Sequence, residues 1–293
     1  MKFMKFVLFI FFPILFFILL FIYYMVEVGD GRLHINVCDV GQGDAIYIRT
    51  PKGQDILFDG GPDKKVLNCL FKFMPFWDRT IELVILSHPH ADHLDGLIEV
   101  LGAYKVKQFV TEDLINNTEG YKTLIRTIQK KGLRRIIIDD SYVLRTSDGI
   151  LLRVLSPSSE FLKRTSDNGI IRETGEFASL IILLSYKNFD FLLTGDTQAA
   201  QLQDALESSF KKEIPHIEVL QVPHHGSRTG LTREILKLLD PQVATISVGS
   251  NNKYKHPASF TLSLLSERGI LVYRTDKDAD ITIKTNGETY SIK

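Results

Sequence analysis

The sequence predicts an α/β fold of four layers, in which two β-sheets pack face to face and helices cover both outer faces, preceded by one N-terminal transmembrane helix. Short strand-like runs fall into two groups, one before and one after residue 150, and helix-like stretches accompany each group. Apolar residues make up 44% of the 293 residues, enough for a sizeable core. Two sheets that each carry helices indicate this α/β/β/α sandwich, although the pattern alone leaves another mixed α/β fold open.

Residues 1–30 differ in character from the rest of the chain. The run 6–25 carries no charge and is rich in Phe, Ile and Leu, and about twenty such residues form a helix that spans a bilayer. Lysines precede the run and acidic residues follow it, so the positive-inside bias places the remainder outside the cytoplasm. A cleaved signal peptide is the alternative, but the run lacks the small residues of a cleavage site. We expect residues 1–30 to be a single-pass anchor and joint, and 31–293 to form one extracytoplasmic domain at the cell membrane.

The elements of this domain follow from hydrophobic periodicity. Residues 33–38 alternate apolar and polar side chains, as a half-buried strand does. After them the pattern predicts strands at 45–49, 55–58, 83–86, 105–110 and 135–138, and helices at 62–73, 94–101 and 119–131. The second group, from residue 150, is predicted to have strands at 180–184, 189–193, 219–222 and 243–248, with helices between the later strands.

Charge and cysteine content exclude some classes of protein. The 35 basic and 35 acidic residues cancel, so no overall positive field draws in nucleic acid. The predicted helix 119–131 carries Lys122 and Arg126, which form either a local basic patch or an ordinary solvated face. Cys38 and Cys69 are too few for a disulfide framework and are expected to be two small buried hydrophobic residues. A bridge between them is the alternative, if the domain lies outside the cytoplasm.

The run His88-Pro89-His90-Ala91-Asp92-His93 carries the strongest chemical signal. It follows a predicted buried strand and places several imidazoles and a carboxylate within six residues. These ligand types suit Zn²⁺, Mn²⁺ or Fe²⁺. Alternate residues share a face, so His88 and His90 can point together while Asp92 and His93 turn towards a neighbouring position. The run therefore predicts a site for one or two metal ions.

Two further strand ends offer ligands of the same kind. A strand ends at Gly195-Asp196, where the carboxylate could bridge two metals or else cap the helix that follows. Another strand leads into the pair His224-His225, which is weak evidence by itself. Loops from separate strands that present ligands together indicate one site.

These motifs resemble those of a known family. The spacing His88-x-His90-x-Asp92-His93 resembles the signature of the metallo-β-lactamase superfamily, and Leu57-Phe58-Asp59-Gly60-Gly61 resembles its early aspartate motif. The run Asp39-Val40-Gly41-Gln42-Gly43-Asp44 resembles the start of the soluble domain of ComEC competence proteins. The motifs His224-His225-Gly226-Ser227 and Asn252-x-Tyr254-x-His256-Pro257 resemble later parts of that domain. The resemblance covers most of residues 33–293.

The resemblance implies the sandwich fold and a role for each matching residue. The expected metal ligands are His88, His90, Asp92, His93, Asp196 and His225. Asp59 is expected to support the ligands from behind. Asp92 would also orient the nucleophile, and His224 and His256 would contact the scissile group, unless His256 is only a turn residue beside Pro257. Many members have another histidine before the Gly-Asp strand, where this chain has Glu176, so either this glutamate or a water replaces it.

The resemblance also implies a function. A metal lowers the pKa of bound water and supplies hydroxide, so we expect a metal-dependent hydrolase with zinc, or alternatively manganese. The expected activity is that of a phosphodiesterase, which would act as a nuclease on single-stranded DNA or on another phosphodiester. The alternatives are an esterase or lactonase on cell-envelope substrates such as phosphorylcholine esters, and a non-catalytic metal-binding module. Apart from the membrane, no obligate partner is indicated.

Overall fold

The computed structural model describes residues 2–23, 29–165, 178–210 and 216–293. The strands, in chain order, are β1 (Leu33–Val37), β2 (Ile46–Arg49), β3 (Asp55–Phe58), β4 (Thr80–Leu86), β5 (Lys105–Thr111), β6 (Arg135–Ile137), β7 (Val143–Arg145), β8 (Leu151–Ser156), β9 (Ile181–Tyr186), β10 (Phe189–Leu193), β11 (Val219–Gln221), β12 (Val243–Ile246), β13 (Leu271–Arg274), β14 (Ile281–Thr285) and β15 (Tyr290–Ile292). The helices are α1 (Lys2–Tyr23), α2 (Lys65–Phe73), α3 (Ala91–Ala103), α4 (Glu119–Lys130), α5 (Ser159–Thr165), α6 (Ala199–Ser209), α7 (Arg233–Leu239), α8 (Ser259–Glu267) and α9 (Thr275–Asp278).

The strands form two sheets with the core between them. One sheet has eight strands in the order β15-β14-β1-β2-β3-β4-β5-β6, and the other has seven in the order β13-β12-β11-β10-β9-β8-β7. Inward-facing side chains of both sheets, such as Ile35 and Phe191, belong to one buried cluster. The opposite faces are also apolar: α2, α3 and α4 pack on the first sheet, and α6, α7 and α8 pack on the second. This is the predicted four-layer α/β/β/α sandwich.

Parallel strand pairs bring distant loops to one edge of the sandwich. In the first sheet β3, β4 and β5 run parallel, and in the second β10, β11 and β12 run parallel. The carboxyl ends of parallel strands lie at the same edge of a sheet. Asp59, Ser87, Asp196, His224 and Ser247 each lie in a segment that follows one of these ends. The predicted site residues therefore meet although they are far apart in the chain.

Some element boundaries differ from the prediction. Helix α3 begins at Ala91, so Asp92 and His93 lie in its first turn rather than before the helix. The edge strand β7 was not predicted, and neither was the return of the chain to the first sheet after α9, where β14 pairs with β1. Both features depend on pairing between distant segments, which local periodicity does not report.

The prediction that Cys38 and Cys69 are unpaired was wrong. Both are buried, but they form a disulfide, with their Cα atoms 5.8 Å apart. Cys38 follows β1 and Cys69 lies on the buried face of α2, which packs on the same sheet. That packing brings the Cα atoms within the range that a disulfide spans, which the separation of 31 residues does not reveal.

The N-terminal run forms α1, a helix that contains Pro13. Among the residues that the structure describes, no helix has both the length and the apolar character needed to cross a bilayer. The expected transmembrane helix is therefore not confirmed.

Candidate metal centre

The predicted ligand run occupies the loop between β4 and α3. His88 is fully buried, and its Nε2 lies 3.0 Å from Nδ1 of His90. Helix α3 then begins, and its first turn carries Asp92 and His93. The expected strand-like alternation is not what brings His88 and His90 together. The segment bends after β4, and the backbone N–H of His90 donates to the oxygen of His88 at 3.0 Å, which closes a tight turn. The start of α3 then presents Asp92 and His93.

A compact set of ligand atoms lies beside this loop. Asp92, His93, Asp196 and His225 each offer one atom, and these atoms all lie within 4.8 Å of one another. Oδ1 of Asp196 is 3.4 Å from Nε2 of His93 and 3.5 Å from Nε2 of His225. All three atoms are buried and have no hydrogen-bond partner among the described residues. Buried polar atoms that converge without partners are costly unless they hold a ligand, so this set fits a divalent cation.

Asp196 also faces the other imidazoles. Its Oδ2 is 3.9 Å from Nε2 of His88 and 3.7 Å from Nε2 of His224. One oxygen of this carboxylate therefore faces His93 and His225, and the second faces His88 and His224. This arrangement can serve two neighbouring cations. Asp196 does not cap the following helix, because Gln198 occupies the N-cap position of α6.

Asp59 fixes the orientation of His93 from behind. Its carboxylate is fully buried and accepts hydrogen bonds from the backbone N–H of Ser87 at 2.7 Å and from the Ser87 hydroxyl at 2.6 Å. Nδ1 of His93 lies 2.8 Å from the same carboxylate. A proton held on Nδ1 leaves Nε2 available for a metal. His225 is arranged in the same way, because its Nδ1 lies 2.9 Å from the backbone oxygen of Ser247.

Asp44, a residue of the Asp39–Asp44 motif, was missed as a site residue. Its side chain is buried, and its oxygens lie 3.9 Å from Nδ1 of both His93 and His225. The backbone N–H of Asp44 donates to the backbone oxygen of Asp92 at 3.2 Å. Gly43 allows this approach, since a Cβ at that position would lie 2.2 Å from the Asp92 oxygen. The motif thus packs directly against the ligand-bearing turn.

Charges within the set shift the pKa values in opposite directions. Burial lowers the pKa of His93, but the carboxylates of Asp196 and Asp59 outweigh it and raise the pKa well above its ordinary value. Burial also lowers the pKa of His225, but the carboxylates of Asp196 and Asp92 outweigh it and raise the pKa to about 9. Burial raises the pKa of Asp196, yet His225 and His93 hold it well below its ordinary value. Without a metal, these groups therefore compensate one another as ion pairs.

His88 and His90 lie in a different electrostatic setting. Burial, followed by repulsion from His93, lowers the pKa of both imidazoles. Neutral imidazole is the form that ligates metals. These histidines therefore need not lose a proton to bind a cation near neutral pH.

The pair His224-His225 has an unusual backbone. Both residues have positive φ, 50° and 55°, which costs a non-glycine residue on the order of 1–2 kcal/mol each. The consequence is that the adjacent side chains diverge. His225 points inwards and is 2% exposed, whereas the His224 side chain is 22% exposed. The backbone N–H of His224 donates to the oxygen of Gly195, which ties this turn to the Asp196 strand end.

The set of ligand atoms around Asp196 opens into a cleft of about 420 Å³. His256, the residue before Pro257, is among the residues that line it. Burial, followed by repulsion from His224, lowers the pKa of His256 to about 4. The residues that line the cleft include Gln42, His90, Asp92, Asn116, Thr118, Asp196, His224, His225, Tyr254 and His256. The structure thus brings every predicted ligand and catalytic residue to one place, whereas Glu176 lies outside the described residues.

The predicted basic helix is α4. Lys122 donates to Glu119 at 2.9 Å, and Arg126 lies 3.5 Å from the same side chain. All three side chains are more than half exposed. Internal pairing of this kind favours an ordinary solvated face over a patch that binds nucleic acid.

The sandwich fold and this donor set define a protein of the metal-binding hydrolase class. The chain belongs to the metallo-beta-lactamase superfamily, since the model of that family matches residues 38–250. The expectation of a metal-dependent hydrolase is thereby confirmed at the level of the family.

Curated relatives support the predicted resemblance to competence proteins. The chain is 27% identical over 282 residues to ComE operon protein 3 of Bacillus subtilis (strain 168), a match that covers 90% of this chain and 34% of the relative. It is 28% identical over 235 residues to Recombination protein 2 of Haemophilus influenzae, a match that covers 79% of this chain and 26% of the relative. The chain therefore spans about a third or less of the length of these relatives.

Solved structures share the fold. CmlA, a diiron beta-hydroxylase from Streptomyces venezuelae, matches with a TM-score of 0.54 and 14% identity over 86% of this chain and 54% of its own. Igni18, a metallo hydrolase from Ignicoccus hospitalis KIN4/I, matches with a TM-score of 0.53 and 17% identity over 85% of this chain and 98% of its own. At these identities the likeness shows the fold alone, because one fold hosts different chemistries.

Proposed function

We propose that this protein is a metal-dependent phosphodiesterase that cleaves single-stranded nucleic acid. The observation that carries the proposal is the position of the acidic and imidazole cluster. It opens into a cleft whose wall also presents His224 and His256. A phosphodiester carries one negative charge, which its two non-bridging oxygens share, and a site with a bound cation and imidazole donors complements that charge.

The proposed cation ligands are His88, His90, Asp92, His93, Asp196 and His225. A mixed nitrogen and oxygen donor set suits Zn²⁺, with Mn²⁺ as the alternative. When bound, the cation would supply hydroxide at neutral pH and offset the charge on the phosphate.

Three side chains act on the substrate in this proposal. The side chain of Asp92 is 31% exposed and lines the cleft, where its carboxylate orients the nucleophile. His224, which is partly exposed and lines the same cleft, donates a hydrogen bond to a phosphate oxygen. His256 has a pKa of about 4, so at neutral pH it is a neutral N–H donor rather than a cation or a general acid.

The names of the relatives agree with a nucleic-acid substrate. One relative is named Competence protein ComA, of Neisseria gonorrhoeae, and another is named Recombination protein 2. The matching segment is only a part of each of those proteins, so the activity belongs to the proposal and is not carried over from the names.

Membrane attachment through residues 6–25, with the catalytic domain outside the cytoplasm, is a second part of the proposal. Side chains described in α1, such as Phe9 and Phe17, are apolar and strongly exposed. The Cys38–Cys69 disulfide is typical of oxidising compartments.

Cell fractionation tests the membrane attachment. We expect the chain in the membrane fraction after a high-salt wash, and its release by salt would contradict the proposal. Protease added to intact spheroplasts should digest the domain, and full protection would contradict the orientation.

A substrate panel tests the activity. The full chain, loaded with Zn²⁺ or Mn²⁺, would be given single-stranded oligonucleotide, bis(p-nitrophenyl) phosphate, p-nitrophenyl phosphorylcholine and a simple lactone. We expect hydrolysis of the first two, and a loss of at least about a hundredfold in kcat/KM in His90→Ala, because a metal ligand is removed. The matched control is His216→Ala, which removes an exposed histidine that pairs with Glu218.

Other outcomes separate the alternatives. Turnover of only the phosphorylcholine ester or the lactone would replace the nuclease proposal by an envelope esterase or lactonase. Tight binding of metal without turnover of any substrate would indicate a non-catalytic metal-binding module. Equal loss of activity in both histidine variants would mean that the effect of His90 is not specific to the site.

A further inference from the structure

One wall of the cleft is a loop whose shape is set by a single asparagine. The side-chain amide of Asn252 donates to the backbone oxygens of Gly249 at 2.9 Å and His256 at 2.7 Å. Its carbonyl oxygen accepts from the backbone N–H of His256 at 2.9 Å. These bonds tie both ends of the segment 249–256 together. The side chains between them are therefore held in place before any ligand arrives.

Tyr254 is at the exposed point of this loop. The residue is 54% exposed and lines the same cleft as Asp92 and Asp196. Its ring is nearly parallel to the ring of His256, at 15°, with the centroids 5.9 Å apart. A flat aromatic face is thus presented beside the metal ligands, and the ring has no part in holding them.

Cations flank this aromatic face. Lys253 and Lys255, on either side of Tyr254, are both exposed. Nζ of Lys253 lies over the tyrosine ring, 5.0 Å from its centre, so this exposed ammonium would move off the ring when a base stacks there. An aromatic ring between lysines matches the two chemical parts of a single nucleic-acid strand, because bases stack on aromatic rings and phosphates pair with cations. A lactone uses neither feature. The quaternary ammonium of a phosphorylcholine ester also binds aromatic faces, but such an ester carries a single phosphate, whereas a strand carries phosphates on both sides of the stacked base.

We propose that Tyr254 is a stacking platform for a nucleobase next to the scissile phosphate, with Lys253 and Lys255 holding the flanking phosphates. The inference rests on the proposed phosphodiesterase function and names the residues that would give it a preference for single strands. In a duplex, both faces of each base are already covered by neighbouring bases, so the platform selects against it. Every base has a π-face, so the platform tolerates any sequence.

The test compares Tyr254→Ala with Tyr254→Phe in the full, metal-loaded chain. For a single-stranded oligonucleotide, we expect Tyr254→Ala to raise KM and the dissociation constant by about tenfold to a hundredfold, with little change in kcat. Tyr254→Phe keeps the ring and should remain within about twofold of the wild type. The matched control is Tyr142→Ala, which removes a partly exposed tyrosine that does not line the cleft.

An oligonucleotide with abasic sites makes the test specific for stacking. The wild type should bind it more weakly than the normal strand, and Tyr254→Ala should cause no further loss. The inference is overturned if Tyr254→Ala weakens binding of both strands equally, or if Tyr254→Phe is as defective as Tyr254→Ala.

Failure of the inference can be distinguished from failure of the proposed function. If the wild type cleaves oligonucleotides but Tyr254→Ala has no effect on KM, the function stands and the platform is wrong. If no phosphodiester is cleaved, the function is wrong. Fluorescence anisotropy of the labelled strands then still decides the platform, because binding by wild type and Tyr254→Ala is compared without turnover.

Discussion

Replacing Asp59 by Asn is expected to weaken metal binding while leaving the fold in place. Asp59 has φ 59°, a left-handed conformation that Asn tolerates, so the backbone need not move. The new amide keeps one oxygen for the Ser87 N–H but places an N–H group where the carboxylate accepts from Nδ1 of His93. A donor then faces a donor, and the proton of His93 is favoured on Nε2, the nitrogen that would hold the metal.

The size of this effect follows from the bond that is lost. A hydrogen bond to a charged group contributes about 1.5–3 kcal/mol, and removal of such an outer partner costs about tenfold to a hundredfold in metal affinity. Asp59→Ala removes all three hydrogen bonds of the carboxylate and leaves the buried Ser87 N–H unpaired, so we expect a loss on the order of 3–5 kcal/mol in the free energy of unfolding.

Metal affinity would be measured by competition with a chromogenic chelator, and stability by unfolding in urea. The control is Asp63→Asn, because Asp63 is exposed and its oxygen accepts only a local backbone N–H, from Lys65. Unchanged affinity in a folded Asp59→Asn protein would refute the view that this carboxylate sets the tautomer of His93.

Further predictions concern the disulfide, the charge of the site and the packing of α3. Replacing both Cys38 and Cys69 by Ser should lower the free energy of unfolding by about 3–4 kcal/mol, because the disulfide closes a loop of 31 residues. Reductant should destabilise the wild type but not the variant. Equal urea midpoints for the wild type and the variant would contradict this. His225, whose pKa is raised to about 9, and His93, whose pKa is raised well above its ordinary value, must both lose a proton to ligate. Metal affinity should therefore rise by about tenfold per pH unit below pH 9 for each proton displaced, with proton release in calorimetry, and an affinity independent of pH would refute this. Gly96→Ala places a Cβ 1.8 Å from the backbone oxygen of Gly60, so it should lower the free energy of unfolding by about 1–3 kcal/mol or more and weaken metal binding. Gly102→Ala, on the same helix, places its Cβ in open space and should do neither. Equal stability of the two variants would contradict the close packing at Gly96.

The residues proposed as ligands could be singled out from the sequence because their signal is local. The run from His88 to His93 combines ligand type with a spacing that a strand end and a helix start can both use. Asp196 and His225 were found for a related reason, since each follows an apolar run that reads as a strand. The positive φ values at His224 and His225, which separate their side chains, have no sequence signature beyond the glycine that follows them.

Other features depend on contacts between distant segments. The role of Asp44 becomes visible only when its motif packs against α3, and the same holds for the pairing of Cys38 with Cys69 across the face of the first sheet. The return of β14 to β1 joins residues near opposite ends of the chain, with Val37 opposite Ile281. Periodicity reports which face of an element is buried, but it does not report which element covers that face.

Anomalous X-ray diffraction from crystals of the full chain grown with Zn²⁺ would show whether these strand ends together bind a catalytic cation. We expect a metal peak about 2.0–2.2 Å from Nε2 of His93, Oδ1 of Asp196 and Nε2 of His225. A folded protein whose crystals show no metal peak at these atoms, or only a peak elsewhere on the molecule, would contradict this expectation.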